Sequence, residues 1–380
     1  MSTLTSVWRA DDVVRVADTP TNPLPVIRAQ DLDAMVPGHD LWDIGPVLTP
    51  VGGPATIDGA GVWLALSAPA VGDPRHRHDI ARLRLIAQTA EGWRDLGPLF
   101  PDGASLGSRE WAGSAVFDDA RGMLDVLYTA VGGRDATTPR FTQRIVSTTA
   151  RVVHPGGRLT CVDWTAHREV LGADGVIYER TDAADGEPGL IKAFRDPFPF
   201  RDPADGREWL LFAASKADAS SSFNGAVGLA GATQDGGYRL EPPLLHADGV
   251  NNELERPHVV AHDGGYYLFF STQRRTFAPG ATGPTGLYGF VAPAFRGPYA
   301  PINGSGLVLR NPDAEPAQAY SWLVLPDLRV SSFVDFHSLA GGSADEVAAA
   351  GADAARRHFG GTLAPIHRLR LDGATAVLVG

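Results

Sequence analysis

A single cysteine, Cys161, in 380 residues excludes an intrachain disulfide and a cysteine-rich zinc site. It reads as a small buried apolar side chain. Positive charge is also short: Lys and Arg number 33 against 44 Asp and Glu, a net charge of −11. Nucleic acid and anionic membranes need a basic footprint, so neither is expected as a main partner. Long apolar runs are missing. The uncharged, mostly apolar stretch over residues 59–72 falls short of the roughly 20 residues that span a bilayer. Residues 1–12 hold no basic segment followed by an apolar one, so a classical secretion signal is not expected. The expectation is a soluble protein, cytoplasmic or exported without a signal peptide. Helical patterns are scarce too. The clearest covers residues 343–358, acidic at Asp345 and Glu346 and basic at Arg356, Arg357 and His358, which suits the helix dipole. Its alanine-rich middle has little to bury and reads as a surface insertion.

Turn formers and aromatics are plentiful: 44 Gly, 29 Pro, 8 Trp, 8 Tyr and 16 Phe. Strand-like runs such as residues 81–86, 123–129, 208–213 and 266–271 are short and mostly bounded by Gly, Pro, Asp or Asn. Arg82 and Arg84 alternate with Leu83 and Leu85, as in a half-buried strand. The strands spread evenly over the chain, and no linker or charge block divides it. One all-β domain over residues 1–380 is expected, a radial array such as a β-propeller rather than a two-sheet sandwich. No exact repeat is visible to reinforce that choice.

Four segments combine carboxylates with Trp, Arg or Pro. They are Trp42-Asp43-Ile44-Gly45, Arg109-Glu110-Trp111-Ala112-Gly113-Ser114, Arg195-Asp196-Pro197 and Asn252-Glu253-Leu254-Glu255-Arg256-Pro257. Each precedes or interrupts a strand-like run. Retaining glycosyl transfer asks for this inventory: one ionised carboxylate as nucleophile and one protonated carboxyl as acid. Arginine grips hydroxyls and keeps a carboxylate ionised, and tryptophan gives a sugar face an apolar wall. Taken singly, each segment is weak. Asp43 could be a turn acceptor, and a second Arg-Asp-Pro stands at Arg201-Asp202-Pro203. Glu253 and Glu255 would share one strand face, which raises one pKa but is also common on solvated edges.

Together, and in this order, the segments resemble glycoside hydrolase family 68, which holds levansucrases, inulosucrases and bacterial β-fructofuranosidases. Gly283-Pro284-Thr285-Gly286-Leu287-Tyr288-Gly289, Asn303-Gly304-Ser305-Gly306, Gln318-Ala319-Tyr320-Ser321 and Phe359-Gly360-Gly361-Thr362 extend the resemblance to residues 8–369, most like the compact Gram-negative type. It implies a five-bladed β-propeller with a central funnel. It implies Asp43 as nucleophile, Asp196 as the carboxylate that grips the fructosyl 3- and 4-hydroxyls, and Glu255 as acid and base. Glu253, Arg195, Arg256, Trp42, Trp111, Gln273 and Tyr320 would bind substrate. Arg195 would also keep Asp43 ionised. Asp202, in the turn of the strand pair after Asp196, and residues 78–82 are given structural roles. Sucrose is the implied substrate. Water, sucrose or fructo-oligosaccharides are the implied acceptors, with no cofactor.

The chain departs from the family pattern at four places. Ile44 and Gly45 replace a hydroxyl residue and an aromatic, and Ala112 replaces a serine that holds the nucleophile. Asn252 replaces an acidic calcium ligand of Gram-positive members, so no metal is expected. Gln273 stands where many polymer-forming relatives have His or Arg. Of Arg274 and Arg275, strand alternation lets at most one compensate, so hydrolysis and short products are expected over long polymer. Two rival readings remain. An inverting five-bladed hydrolase would hold its acid and base about 6.5–9.5 Å apart rather than about 5–5.5 Å. An inactive carbohydrate-binding propeller has only Ile44, Gly45 and Ala112 in its favour.

Overall fold

The computed structural model describes residues 5–134, 141–181 and 190–379. Their strands form five sheets of five strands each, the blades of a five-bladed β-propeller. The innermost strands are His39–Pro46, Arg109–Asp118, Phe194–Arg201, Glu255–His262 and Ala319–Val324. Each lies at one end of its sheet's strand order, and neighbouring inner strands meet around the axis.

Apolar residues fill the spaces between blades. Leu64, Leu85, Ile86, Phe117 and Leu124 are buried in one cluster, and Leu229, Phe270, Tyr288 and Phe290 in another. Because blades are covered on both faces, strict alternation fails inside them. Arg82 is exposed, but Arg84 is buried and pairs with Asp95 at 2.7 Å. The N-terminal segment straps the ring together. Ser6–Val7 adds a parallel strand to the third blade, and Trp8 sits among Phe270, Phe277, Tyr288 and Phe290 of the fourth. Asn22 Nδ2 then donates to Val308 O (2.8 Å) and Ala376 O (2.9 Å), joining the fourth and fifth blades.

The expected helix over residues 343–358 is two short helices, Ala344–Ala349 and Ala352–His358, separated by Gly351 at φ 95°. Glycine suits that break because it carries no Cβ. Ser343 and Glu346 form a capping box at the first helix. The segment is not a loose surface insertion. Ala354 and Ala355 are buried, and Arg356 Nη1 holds both oxygens of Asp40 at 2.6 and 2.8 Å. Asp40 lies on the same inner strand as Asp43. No helix among the described residues is long and apolar enough to cross a membrane.

Candidate active site

All five inner strands break register, between Trp42 and Gly45, Trp111 and Gly113, Arg195 and Phe198, Glu255 and His258, and Tyr320 and Leu323. Four of the breaks hold a non-glycine residue with positive φ: Asp43 at 50°, Asp196 at 58°, Arg256 at 49° and Ser321 at 61°. A bulge bends a strand and re-aims its side chains. Here five bulges turn side chains toward one axial cavity of about 320 Å³. Left-handed backbone at such residues costs free energy and persists only where the surrounding structure enforces it.

The cavity wall includes each of the ten residues expected from sequence: Trp42, Asp43, Trp111, Arg195, Asp196, Glu253, Glu255, Arg256, Gln273 and Tyr320. Asp202 lies elsewhere, in the hairpin after Asp196, where its Oδ1 accepts from Tyr266 Oη at 2.6 Å. Glu110 faces between blades, and its Oε2 accepts from Leu83 N at 2.7 Å.

Ser321 Oγ donates to Asp43 Oδ1 at 2.6 Å, so a serine from the fifth blade holds this carboxylate although Ala112 offers none. Burial pushes the Asp43 carboxyl above the usual range, while the Arg256 charge, the Ser321 hydrogen bond and Arg77 pull it down. Arg256, rather than the expected Arg195, is therefore its main cation. Gly45 makes room for that guanidinium: a Cβ there would stand 3.2 Å from Arg256 Nη2 and 3.0 Å from Leu323 Cδ2. Ile44 is fully buried in the core.

Arg195 is committed to the other acids. Its Nη2 donates to Glu255 Oε1 at 2.9 Å and also to Glu253 Oε1. Burial alone would lower its pKa, but Glu253, Glu255 and Asp196 outweigh that and raise it. Burial, followed by the charge of Glu255, lifts Glu253 to about 7. Burial also lifts Asp196 to about 7 against the pull of Arg195, and Asp196 Oδ2 accepts from Arg256 N at 3.1 Å. Tyr320 Oη donates to Glu255 Oε2.

Sequence reasoning missed part of the wall. Arg77 and His78, the latter expected to be structural, reach it from a 3-10 turn, Pro74–Asp79, capped by Asp73 through Arg75 N at 3.0 Å. The His78 ring lies 5.3 Å from Trp42 and 6.0 Å from Trp111, and burial holds its pKa well below the usual value. Gln143 accepts from Phe194 N at 3.0 Å and gives Arg195 a further acceptor at 3.4 Å. Asp335 comes from the second strand of the fifth blade, Arg329–Phe336. Its run has no neighbouring carboxylate or Trp, so nothing in the sequence marked it.

A sequence profile described as Levansucrase/Invertase matches residues 1–224 and 216–379. A levansucrase of Pseudomonas savastanoi pv. glycinea is 33% identical over 97% of this chain and 89% of its own length. The structure of an inulosucrase from Halalkalicoccus jeotgali bound to kestose superposes with a TM-score of 0.91 and 40% identity, covering 99% of this chain and 96% of that one. A levansucrase from Gluconacetobacter diazotrophicus superposes with a TM-score of 0.83 and 26% identity, covering 100% and 90%.

Proposed function

The chain belongs to the levansucrase/invertase family of glycoside hydrolases, and from that premise we propose that it is a retaining fructosyltransferase and β-fructofuranosidase acting on sucrose. The whole chain is one catalytic unit in this reading. The observation that carries it is the convergence of Asp43, Asp196 and Glu255, with Arg195 and Arg256, on one axial cavity. The similarity to a kestose-bound inulosucrase supports the same substrate class.

The fructosyl unit sits deepest. Glu255, steadied by Arg195 and Tyr320, donates a proton to the glycosidic oxygen as that bond breaks. Asp43 Oδ attacks the anomeric carbon from the opposite face and forms a fructosyl ester, while glucose leaves with the proton. Glu255, now ionised, takes a proton from an incoming hydroxyl. That oxygen attacks the same carbon and releases the Asp43 carboxylate. Water as acceptor gives fructose, and sucrose or an oligosaccharide gives a longer fructoside. Arg256 and Ser321 keep the Asp43 charge tolerable between steps. Asp196, bonded to Arg256 N, grips the fructosyl hydroxyls.

The test is glucose release from sucrose, with the anomeric configuration of the first product followed by proton NMR. Release with retained configuration is expected. Absence of release sinks the reading, and inversion sinks the covalent step.

A further inference from the structure

The cavity holds more charge than the fructosyl chemistry uses. Asp43, Asp196, Glu253 and Glu255 are bonded to Ser321, Arg256, Arg195 and Tyr320. Asp335 and Arg77 stand outside that network. Arg77 Nη2 is 3.8 Å from Asp335 Oδ1, an ion pair too long for a hydrogen bond. Asp335 Oδ1 and Arg77 Nε are buried with no hydrogen-bond partner. Burial raises the Asp335 carboxyl to about 6 against the pull of Arg77 and Arg275. A carboxylate oxygen buried without a donor is costly to keep, and sugar hydroxyls are the donors it lacks.

Its place fits a sugar other than the deep one. The Asp335 strand is second from the axis, and Asp335 and Phe333 both line the cavity. Arg77 is fixed there by Pro74 O at 3.0 Å and by the Trp42 and Phe359 rings at 5.3 and 4.6 Å. Gln273 and Arg275 also face the cavity, and Arg275 Nε donates to Gln273 Oε1 at 2.8 Å. An acceptor-only carboxylate and donor-only guanidinium groups on one wall suit the paired hydroxyls of a pyranose.

Resting on the fructosyl-transfer reading above, we infer that Asp335, braced by Arg77 and working with Arg275, is a specificity-determining residue for the sugar beside the fructosyl unit. It holds the glucosyl group of sucrose before cleavage and the sugar acceptor afterwards. Arg275 is thus the arginine that supplements Gln273.

The experiment compares wild type, Asp335→Asn and Arg275→Gln on sucrose and on p-nitrophenyl β-fructofuranoside, which lacks the glucosyl unit. The fraction of fructose transferred in concentrated sucrose is measured alongside. For Asp335→Asn, kcat/KM on sucrose should fall about ten-fold or more, the cost of one charge-assisted hydrogen bond. The aryl fructoside should change by less than two-fold, and the transferred fraction should drop. Arg275→Gln, at the cavity rim, should show the same split and serves if Asp335→Asn does not fold. Equal losses on both substrates would make Asp335 structural and overturn the inference, as would no loss on either. A wild-type enzyme that releases no glucose from sucrose overturns the underlying functional reading instead.

Discussion

The proposed mechanism gives two carboxylates of one cavity opposite duties, and their partners differ. Asp43 has Ser321 and Arg256, whereas Glu255 shares Arg195 with Glu253 and is touched by Tyr320. Glu255→Gln should lower turnover by about 10²–10⁴-fold, the usual contribution of general acid catalysis. Asp43→Asn should lower it further, by about 10⁴-fold or more, because the covalent route is lost. Near-wild-type turnover in either folded variant contradicts the assignment. Glu253 makes a different prediction. Its folded pKa of about 7 lies above the roughly 4.3 of an unfolded Glu, so the folded state binds the extra proton. That stabilisation is full below about pH 4 and is lost as pH rises through about 7. Glu253→Gln should therefore flatten the fall in melting temperature between pH 5 and pH 8. An unchanged slope would contradict it.

The element that matters most is the bulged inner strand. The five bulges recur at equivalent places although the segments share no sequence pattern: Asp43, Ala112, Asp196, Arg256 and Ser321 stand within them. Gly113 shows how tight the second bulge is, since a Cβ there would lie 2.4 Å from Leu127 O. The helical pair inserted in the fifth blade, between Arg329–Phe336 and Phe359–Leu363, acts on the first inner strand through Arg356 and Asp40. Arg356 also donates to Gly72 O at 3.1 Å, just before the turn that carries Arg77 and His78. Arg356→Ala leaves the buried Asp40 carboxylate short of donors. It should cost about 1–3 kcal/mol in urea denaturation, with Arg356→Lys recovering part. A change under about 0.5 kcal/mol would show that the helices do not brace this strand.

Around the whole ring, the cation-free reading of the site can be tested directly. Asn252, where an acidic ligand would serve calcium, is fully buried and donates through Nδ2 to Ile191 O at 2.9 Å. Among the described residues no group of three or more His, Cys, Asp or Glu is placed to hold a metal. Dialysis against a chelator should leave both melting temperature and glucose release unchanged. A fall in melting temperature that calcium restores would contradict this.

Strand-rich composition and short punctuated runs were enough to read an all-β chain, and the family resemblance carried by the ordered motifs gave the five-bladed ring and ten residues of its cavity wall, eight in the four motifs and Gln273 and Tyr320 outside them. Those motifs are local, and their residue types carry their chemistry wherever they are placed. Three things were not legible. Asp43 is held by Ser321, which lies 278 positions away, and such a partner is chosen by how blades one and five close. Arg195 looked like the cation for Asp43, but bulge geometry turns it to Glu253 and Glu255 and gives Asp43 to Arg256. Asp335 is the lone acid of its strand, and only the curvature of the ring brings it beside Arg77. Side-chain type follows from local chain chemistry, but pairing follows from distances across the axis, and those exist only once five sheets have packed around it.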